Sequence, residues 1–351
     1  MKYFFIVQGV GMGHTTQSLA LRAMLEMNGH EVVTSFVGTN FFSGRNPLYQ
    51  SLLHENFFSP ALMNRTNKKG INLFTSFCFN FIFTPVYLFS IFRIAHRIRK
   101  SDADAIVVFY DFIGQLGSFL SFSGKPVYSI SHHFFFGHPA FTWPEKRKAE
   151  QWLLKIHSRL ASIGARKILA LSFTNEDTIP SEKLVVVPPL LRQEILHAEA
   201  VSGDHVHVYC LHSGFLDVII NLAIRAPFKN FKVFLHEKDN IPEIPGNIHV
   251  SLISGEEFIE SLRTCGTVIC TAGFETPSEA VYLNKALILI PSEAHFEQYC
   301  NALDATRAKA AEYREPFVLN ELPGYKNNPA HFPFKTWIDS AEKTFLKILT
   351  E

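Results

Sequence analysis

Between residues 270 and 302 the chain reads CTAGFETPSEAVYLNKALILIPSEAHFEQYCNA, which sets anion-binding and hydroxyl-binding groups at short spacing. Val268, Ile269 and Cys270 form an apolar run suited to a buried strand. Thr271, Ala272 and Gly273 turn the chain, and a helix is expected from about Thr276. Pro277 then falls at the first helical position, where its missing N–H costs nothing. A helix start of this kind presents unpaired backbone N–H groups and the positive end of a dipole, and a diphosphate suits it. Phe274, Glu275 and Thr276 flank that start. Glu279, one turn in, can accept two hydrogen bonds from ribose hydroxyls. Glu297 and Gln298, after an expected strand at residues 287–290, are a carboxylate and an amide of the kind that binds sugar hydroxyls. Thr276 and Glu279 also have the spacing of a capping box, in which the glutamate bonds back to its own helix.

The N-terminus carries a second glycine turn. An apolar strand at residues 3–7 leads into Gln8-Gly9-Val10-Gly11-Met12-Gly13-His14, and a helix is expected from about Thr15 to the Asn28-Gly29 stop. A dinucleotide fingerprint, G-x-G-x-x-G, needs its third glycine where this chain has His14. No acidic residue closes the strand expected at 32–37 to hold an adenine ribose, so a nicotinamide-dependent oxidoreductase is a weak alternative. His14 at a helix start feels the positive dipole end, which disfavours imidazolium and keeps the ring able to take a proton near pH 7. The plainer alternative is a histidine that only hydrogen-bonds its loop. His132, His133 and His138 follow another strand. They lack a fourth zinc ligand at short spacing, and His132 or His133 is expected to touch an acceptor. Asp102 and Asp104 match D-x-D, a pattern common in ordinary turns, and no metal site is assigned there.

These motifs resemble those of the GT-B glycosyltransferases. The nearest likenesses are to the UDP-glycosyltransferases, the peptidoglycan N-acetylglucosaminyltransferase family and a microbial subgroup of this superfamily. Gly273, Glu279, Gln298, Asn301 and Ala302 match the donor signature, and Gly11, Gly13 and His14 match the acceptor-side loop and base. The resemblance implies that Asp111, ending the strand at 105–110, orients the histidine; capping the next turn is the alternative role. Residues 184–196, LVVVPPLLRQEIL, resemble the linker between the two domains, with Arg192 at its arginine. Thr271 replaces a phosphate-contacting histidine and Glu297 an aspartate of the plant enzymes. An E-x7-E signature of retaining members would need glutamate where Thr271 stands.

The implied fold is α/β, two Rossmann-like parallel-sheet domains facing a central cleft. The acceptor domain would span 1–190, the donor domain 191–330, and a C-terminal helix at 331–351 would pack toward the first. Ser213 and Gly214, after a strand at 206–211, offer a second helix start to the diphosphate. The implied reaction is inverting and metal-independent, moving sugar from a UDP-sugar to a hydroxyl acceptor without a cofactor. A non-catalytic nucleotide-sugar sensor would keep Glu279 and Gln298 but need no base.

Composition agrees with that layout. At 351 residues and 47% hydrophobic content the chain can bury two cores, and alternating strand and helix patterns in both halves favour parallel sheets. A net charge of +1 argues against nucleic acid as a partner. Five cysteines without C-x-x-C spacing suggest a reducing compartment. MKYFFIVQGVG reads as a first strand and turn rather than a signal peptide, which gives a cytoplasmic expectation. Residues 70–92 contain no charge and are rich in phenylalanine. Asn72, Asn80 and Pro85 argue against a membrane span, and basic residues at Arg65, Lys68, Lys69, Arg93, Arg97, Arg99 and Lys100 flank the run. Peripheral membrane contact through residues 65–100, serving a lipid-linked acceptor, stands beside burial in the core or lining of the cleft. An amphipathic helix is expected at 337–349.

Overall fold

A computed structural model describes residues 1–9, 11–40, 54–60, 73–210, 215–235, 241–253, 255–292, 295–314, 322 and 327–351. The chain forms two compact units, the first of Met1–Met63, Asn72–Arg192 and Trp337–Glu351, the second containing Gln193–Thr336.

In the first unit, seven described strands form a parallel sheet: β1 (Lys2–Gln8), β2 (Glu31–Thr39), β3 (His54–Phe58), β4 (Ala105–Phe109), β5 (Val127–Ser131), β6 (Lys167–Leu171) and β7 (Leu184–Val187). Their order is β3-β2-β1-β4-β5-β6-β7. Strands of such a sheet are covered on both faces, which is why β1 is continuously apolar from Tyr3 to Val7 and buried throughout. Strand β3 has no sequence counterpart among the expected strands; its polar start, His54-Glu55-Asn56, hides it.

Helix α1 (Gly13–Met27) follows β1 and ends at Asn28 and Gly29, whose φ of +74° suits glycine. Helices α2 (Leu73–Ile82) and α3 (Thr84–Lys100) precede β4, and α4 (Phe112–Leu120) and α5 (Lys148–Leu160) follow it. Tyr87, Ile91, Ile94 and Ile98 of α3 share a core with Phe4, Ile6, Ile106 and Val108. Helix α4 lies so close to the sheet that a Cβ on Gly114 would stand 2.2 Å from Ile6 Cγ2. A short helix α6 (Gln193–Leu196) opens the second unit.

That unit has six described parallel strands: β8 (Val206–Cys210), β9 (Phe231–Leu235), β10 (Ile248–Leu252), β11 (Thr267–Cys270), β12 (Ala286–Leu289) and β13 (Glu312–Tyr313). They run in the order β10-β9-β8-β11-β12-β13. At two residues, β13 is too short to show a pattern. Helices α7 (Leu216–Arg225), α8 (Gly255–Thr264), α9 (Glu275–Tyr282) and α10 (Phe296–Arg307) complete the unit. Lys285 is buried, and its ammonium donates to the carbonyls of Val201, Arg263 and Cys265 at 2.7, 2.7 and 2.9 Å. Three carbonyls compensate the desolvated charge and pin three chain segments together.

The C-terminal helix expected as one piece is two, α11 (His331–Asp339) and α12 (Ala341–Thr350), interrupted at Ser340. Ser340 Oγ donates to Trp337 O at 2.7 Å, a local bond that competes with helix continuation. The end of this tail belongs to the first unit. Trp337 Nε1 donates to Ser172 O at 3.0 Å, and Tyr3 Oη donates to Leu349 O at 3.2 Å.

Candidate active site

In doubly wound parallel sheets, ligands bind beyond the carboxyl ends of the strands where the strand order reverses. In the first sheet β1 and β4 are neighbours across that reversal, from Tyr3↔Ala105 to Val7↔Phe109. Gly9 leaves one and Tyr110-Asp111 leaves the other. In the second sheet the reversal lies between β8 and β11, paired from Thr267↔Val206 to Cys270↔Tyr209. Thr271–Phe274 leaves there.

His14 is the second residue of α1 and half-buried. Its Nδ1 is 3.2 Å from Gln17 Oε1. A proton on Nδ1 satisfies this contact, since an amide oxygen only accepts, and leaves Nε2 as the basic nitrogen. Tyr110 and His133 stand beside it, each with its ring centroid 5.7 Å from that of His14. Tyr110 stacks on His133 at 4.0 Å, and its φ of +53° is unusual for a bulky side chain. Ser131 Oγ lies 2.7 Å from His133 Nδ1. Of the two histidines expected near the acceptor, His133 meets His14. His132 does not: its Nδ1 bonds Leu171 O at 2.8 Å, and its ring packs among Phe136 and Phe173. Gly11 is exposed with a φ of +85°, and Gly13 begins α1.

Asp111 is buried, 2% exposed, and N-caps α4. Oδ1 accepts from Gly114 N at 2.7 Å and Oδ2 from Ser59 Oγ at 2.8 Å. The carboxylate is therefore satisfied by Ser59 and the start of α4, while the partner of His14 Nδ1 is Gln17; the capping role is the one this geometry displays. Burial pushes the Asp111 carboxyl up to about 6, against the pull of hydrogen bonds from Gly114, Ser59 and Ile113. Space for it exists because residue 38 is glycine: a Cβ there would lie 2.7 Å from Asp111 Oδ2.

Among the described residues no cluster of His, Cys, Asp and Glu could hold a metal ion. His138 Nε2 bonds Asp177 O at 2.8 Å, and both Asp102 and Asp104 bond Lys2.

In the second unit, Thr271 N donates to Tyr209 O at 3.1 Å, carrying the pairing one residue past β11. Gly273 N then donates to Thr271 O at 2.7 Å, closing a tight turn. Asn301 Nδ2 tethers the turn through Ala272 O at 2.9 Å. Gly273 is exposed, and a Cβ there would meet nothing within 4 Å, so its backbone is open to a ligand.

Helix α9 starts at Glu275, with Phe274 at the cap and no side-chain cap bond. Pro277 is thus the third helical residue, not the first, because the turn closes at Gly273 and the first helical residue is Glu275, two positions earlier than Pro277. Its missing N–H still falls among the four unpaired ones. Thr276, already inside the helix, is not its cap, so the capping-box alternative does not describe this helix start. Glu275 is half-buried, Thr276 is buried, and Glu279 is buried at 1% exposure. Gln298 is buried on α10, and its Oε1 accepts from Ser292 N at 2.8 Å. The amide oxygen is taken by Ser292 N, so the group Gln298 can offer a sugar is the NH2. Glu297, in the first turn of α10, is half-buried. Ser213 and Gly214 lie outside the described residues.

Two parallel-sheet units with their candidate groups at the strand-order reversals are those of a GT-B glycosyltransferase. The chain belongs to Glycosyl transferase family 1, whose family model matches residues 1–315, and it is a glycosyltransferase. Nothing among the curated proteins matches. The glycosyltransferase SnogD from Streptomyces nogalater is similar in structure, with 16% identity, a TM-score of 0.62, and 100% of this chain and 99% of that one covered. MurG from Acinetobacter baumannii gives 15% identity, a TM-score of 0.60 and 99% coverage of both chains. The spinosyn rhamnosyltransferase SpnG, complexed with thymidine diphosphate, gives 15% identity, a TM-score of 0.56, and coverage of 99% and 95%. Likeness at these identities concerns the fold.

Proposed function

We propose that this glycosyltransferase moves a sugar from a nucleotide-sugar, UDP-sugar being the donor we favour, to a hydroxyl acceptor, with inversion and without a metal. The observation that carries the proposal is that a histidine and an open glycine turn at a helix start each stand at the strand-order reversal of their own sheet. SpnG's complex with thymidine diphosphate supports a nucleoside-diphosphate donor.

In this reading the second unit holds the donor. Backbone N–H groups at Gly273–Thr276 and the α9 dipole meet the diphosphate. Glu279 accepts from the ribose hydroxyls, and Glu297 with the Gln298 NH2 binds the sugar. Ser213 and Gly214 belong to the same donor set. The first unit supplies the acceptor side. His14 Nε2 takes the acceptor's hydroxyl proton as the oxygen bonds to the anomeric carbon, and the bond from that carbon to the phosphate oxygen breaks. The nucleoside diphosphate leaves with the electron pair, its charge met by the α9 start. Gln17 holds the tautomer. Asp111 acts as a positioning residue, fixing the end of β4 and thereby Tyr110 against His14. The acceptor we favour is lipid-linked, met by peripheral membrane contact within the region 65–100, of which 65–72 lie outside the described residues.

The testing experiment is a nucleotide-sugar panel read by nucleoside-diphosphate release and by proton NMR of the anomeric centre. The reading expects an inverted anomer and a rate unchanged by EDTA. A retained anomer, or activity lost to EDTA and restored by a divalent cation, would contradict it.

A further inference from the structure

We propose that the outer face of the α2–α5 layer of the first unit docks on an anionic lipid bilayer. Helices α3, α4 and α5 pack in series, α3 on α4 and α4 on α5, with α2 against α3. Eleven of the eighteen exposed large hydrophobic residues of the described chain lie on these helices or just after α4. They gather on one layer of the unit rather than lying singly over the surface.

Two stripes organise it. On α3 the solvent face runs through Leu88, Phe89 and Phe92, at 49%, 67% and 64% exposure, and continues through His96 to Arg99 and Lys100. At 1.5 Å per residue the 17-residue helix is about 25 Å long, apolar at one end and basic at the other. Phe81 and Ile82, ending α2, extend the apolar end. On α5, Trp152, Leu153 and Leu160 form a second exposed stripe beside Lys155 and Arg159.

Charge selects the occupant. No Asp or Glu occurs between Glu55 and Asp102 or within α4, and the one acid of α5, Glu150, pairs with Arg147. Arg93 and Arg97 are held by Glu55, which leaves Arg99 and Lys100 at the basic end of the stripe. Like charges would face each other if two copies met through this face, whereas anionic headgroups complement it. No described helix is long and apolar enough to cross a membrane, so the contact is interfacial.

The inference deepens the reading of a membrane-borne acceptor and rests on it for its purpose. Vesicle binding requires neither donor nor turnover, so its failure is separable from failure of the transfer reaction. The test is sedimentation of the full chain with vesicles of equal parts phosphatidylglycerol and phosphatidylcholine, and with phosphatidylcholine alone. Binding is expected to the mixed vesicles at low salt, with release by high salt. Arg99→Gln with Lys100→Gln should weaken it about thirtyfold. Phe89→Ser with Phe92→Ser should weaken it roughly tenfold or more. Both pairs are exposed, and wild-type melting temperatures would verify that they fold. No sedimentation at low salt, binding indifferent to both double variants, or a concentration-dependent dimer in place of vesicle binding would each overturn the proposal.

Discussion

Asp111→Asn separates a capping carboxylate from a catalytic one. The native carboxyl is raised to about 6, above its unfolded value near 3.8. The folded chain therefore binds the proton more tightly, and stability falls as pH rises from 3.8 through 6. A gap of roughly two pH units at 1.36 kcal/mol each corresponds to about 3 kcal/mol lost by neutral pH. Asparagine caps helices about as well as aspartate and can still accept from Gly114 N, while the Ser59 hydroxyl can turn to accept from its NH2. The variant should therefore be up to about 3 kcal/mol more stable than wild type at pH 7 and lack the fall between pH 4 and 7. Trp143, Trp152 and Trp337 all belong to the first unit, so tryptophan fluorescence in urea reports on the unit containing residue 111. Transfer should stay within a few-fold of wild type, because Gln17 and not Asp111 bonds His14. Parallel pH profiles for the two proteins, or a transfer loss approaching that of a missing base, would refute the reasoning.

Two further predictions concern the second unit. His207 is buried between Phe234 and Phe258, and burial holds its imidazole down to about 3, with His205 and Lys232 adding to the effect. Its folded value lies below the unfolded 6.5, so stability is full above pH 6.5 and is lost as pH falls. By pH 4.5 the loss is about 3 kcal/mol, and His207→Phe should remove it from the urea midpoint followed by far-UV circular dichroism. Glu279→Ala should weaken donor binding in calorimetry by roughly 1.5–3 kcal/mol, the range for a hydrogen bond to a charged group. Unchanged donor affinity in a folded variant would remove the ribose role.

Much of the fold was legible because fully covered parallel strands are unbroken apolar runs: 3–7, 105–109, 168–171 and 268–270 announce themselves. What hid lacked that signature, as in the polar-edged β3 and the two-residue β13. Ser340 broke a helix whose apolar period runs straight through it, since a single side-chain bond outweighs a pattern only once the surroundings are fixed. At the site, glycine turns exposed His14 and Glu279. Gln17, three residues after His14 on the same helix face, was readable from spacing and was missed. The Ser59–Asp111 bond joins residues 52 apart in sequence, and the left-handed backbone of Tyr110 carries no compositional mark. Sequence placed Asp111 at the right strand end; only packing shows where its two oxygens go.

His14→Ala is the most direct test of the central claim, assayed by single-turnover transfer with donor affinity measured on the same preparation. The account predicts a rate lower by a factor of about 10²–10⁴ with donor affinity unchanged, since the donor's contacts belong to the other unit. A variant that transfers at the wild-type rate, or one that loses transfer only because donor binding is lost, would contradict it.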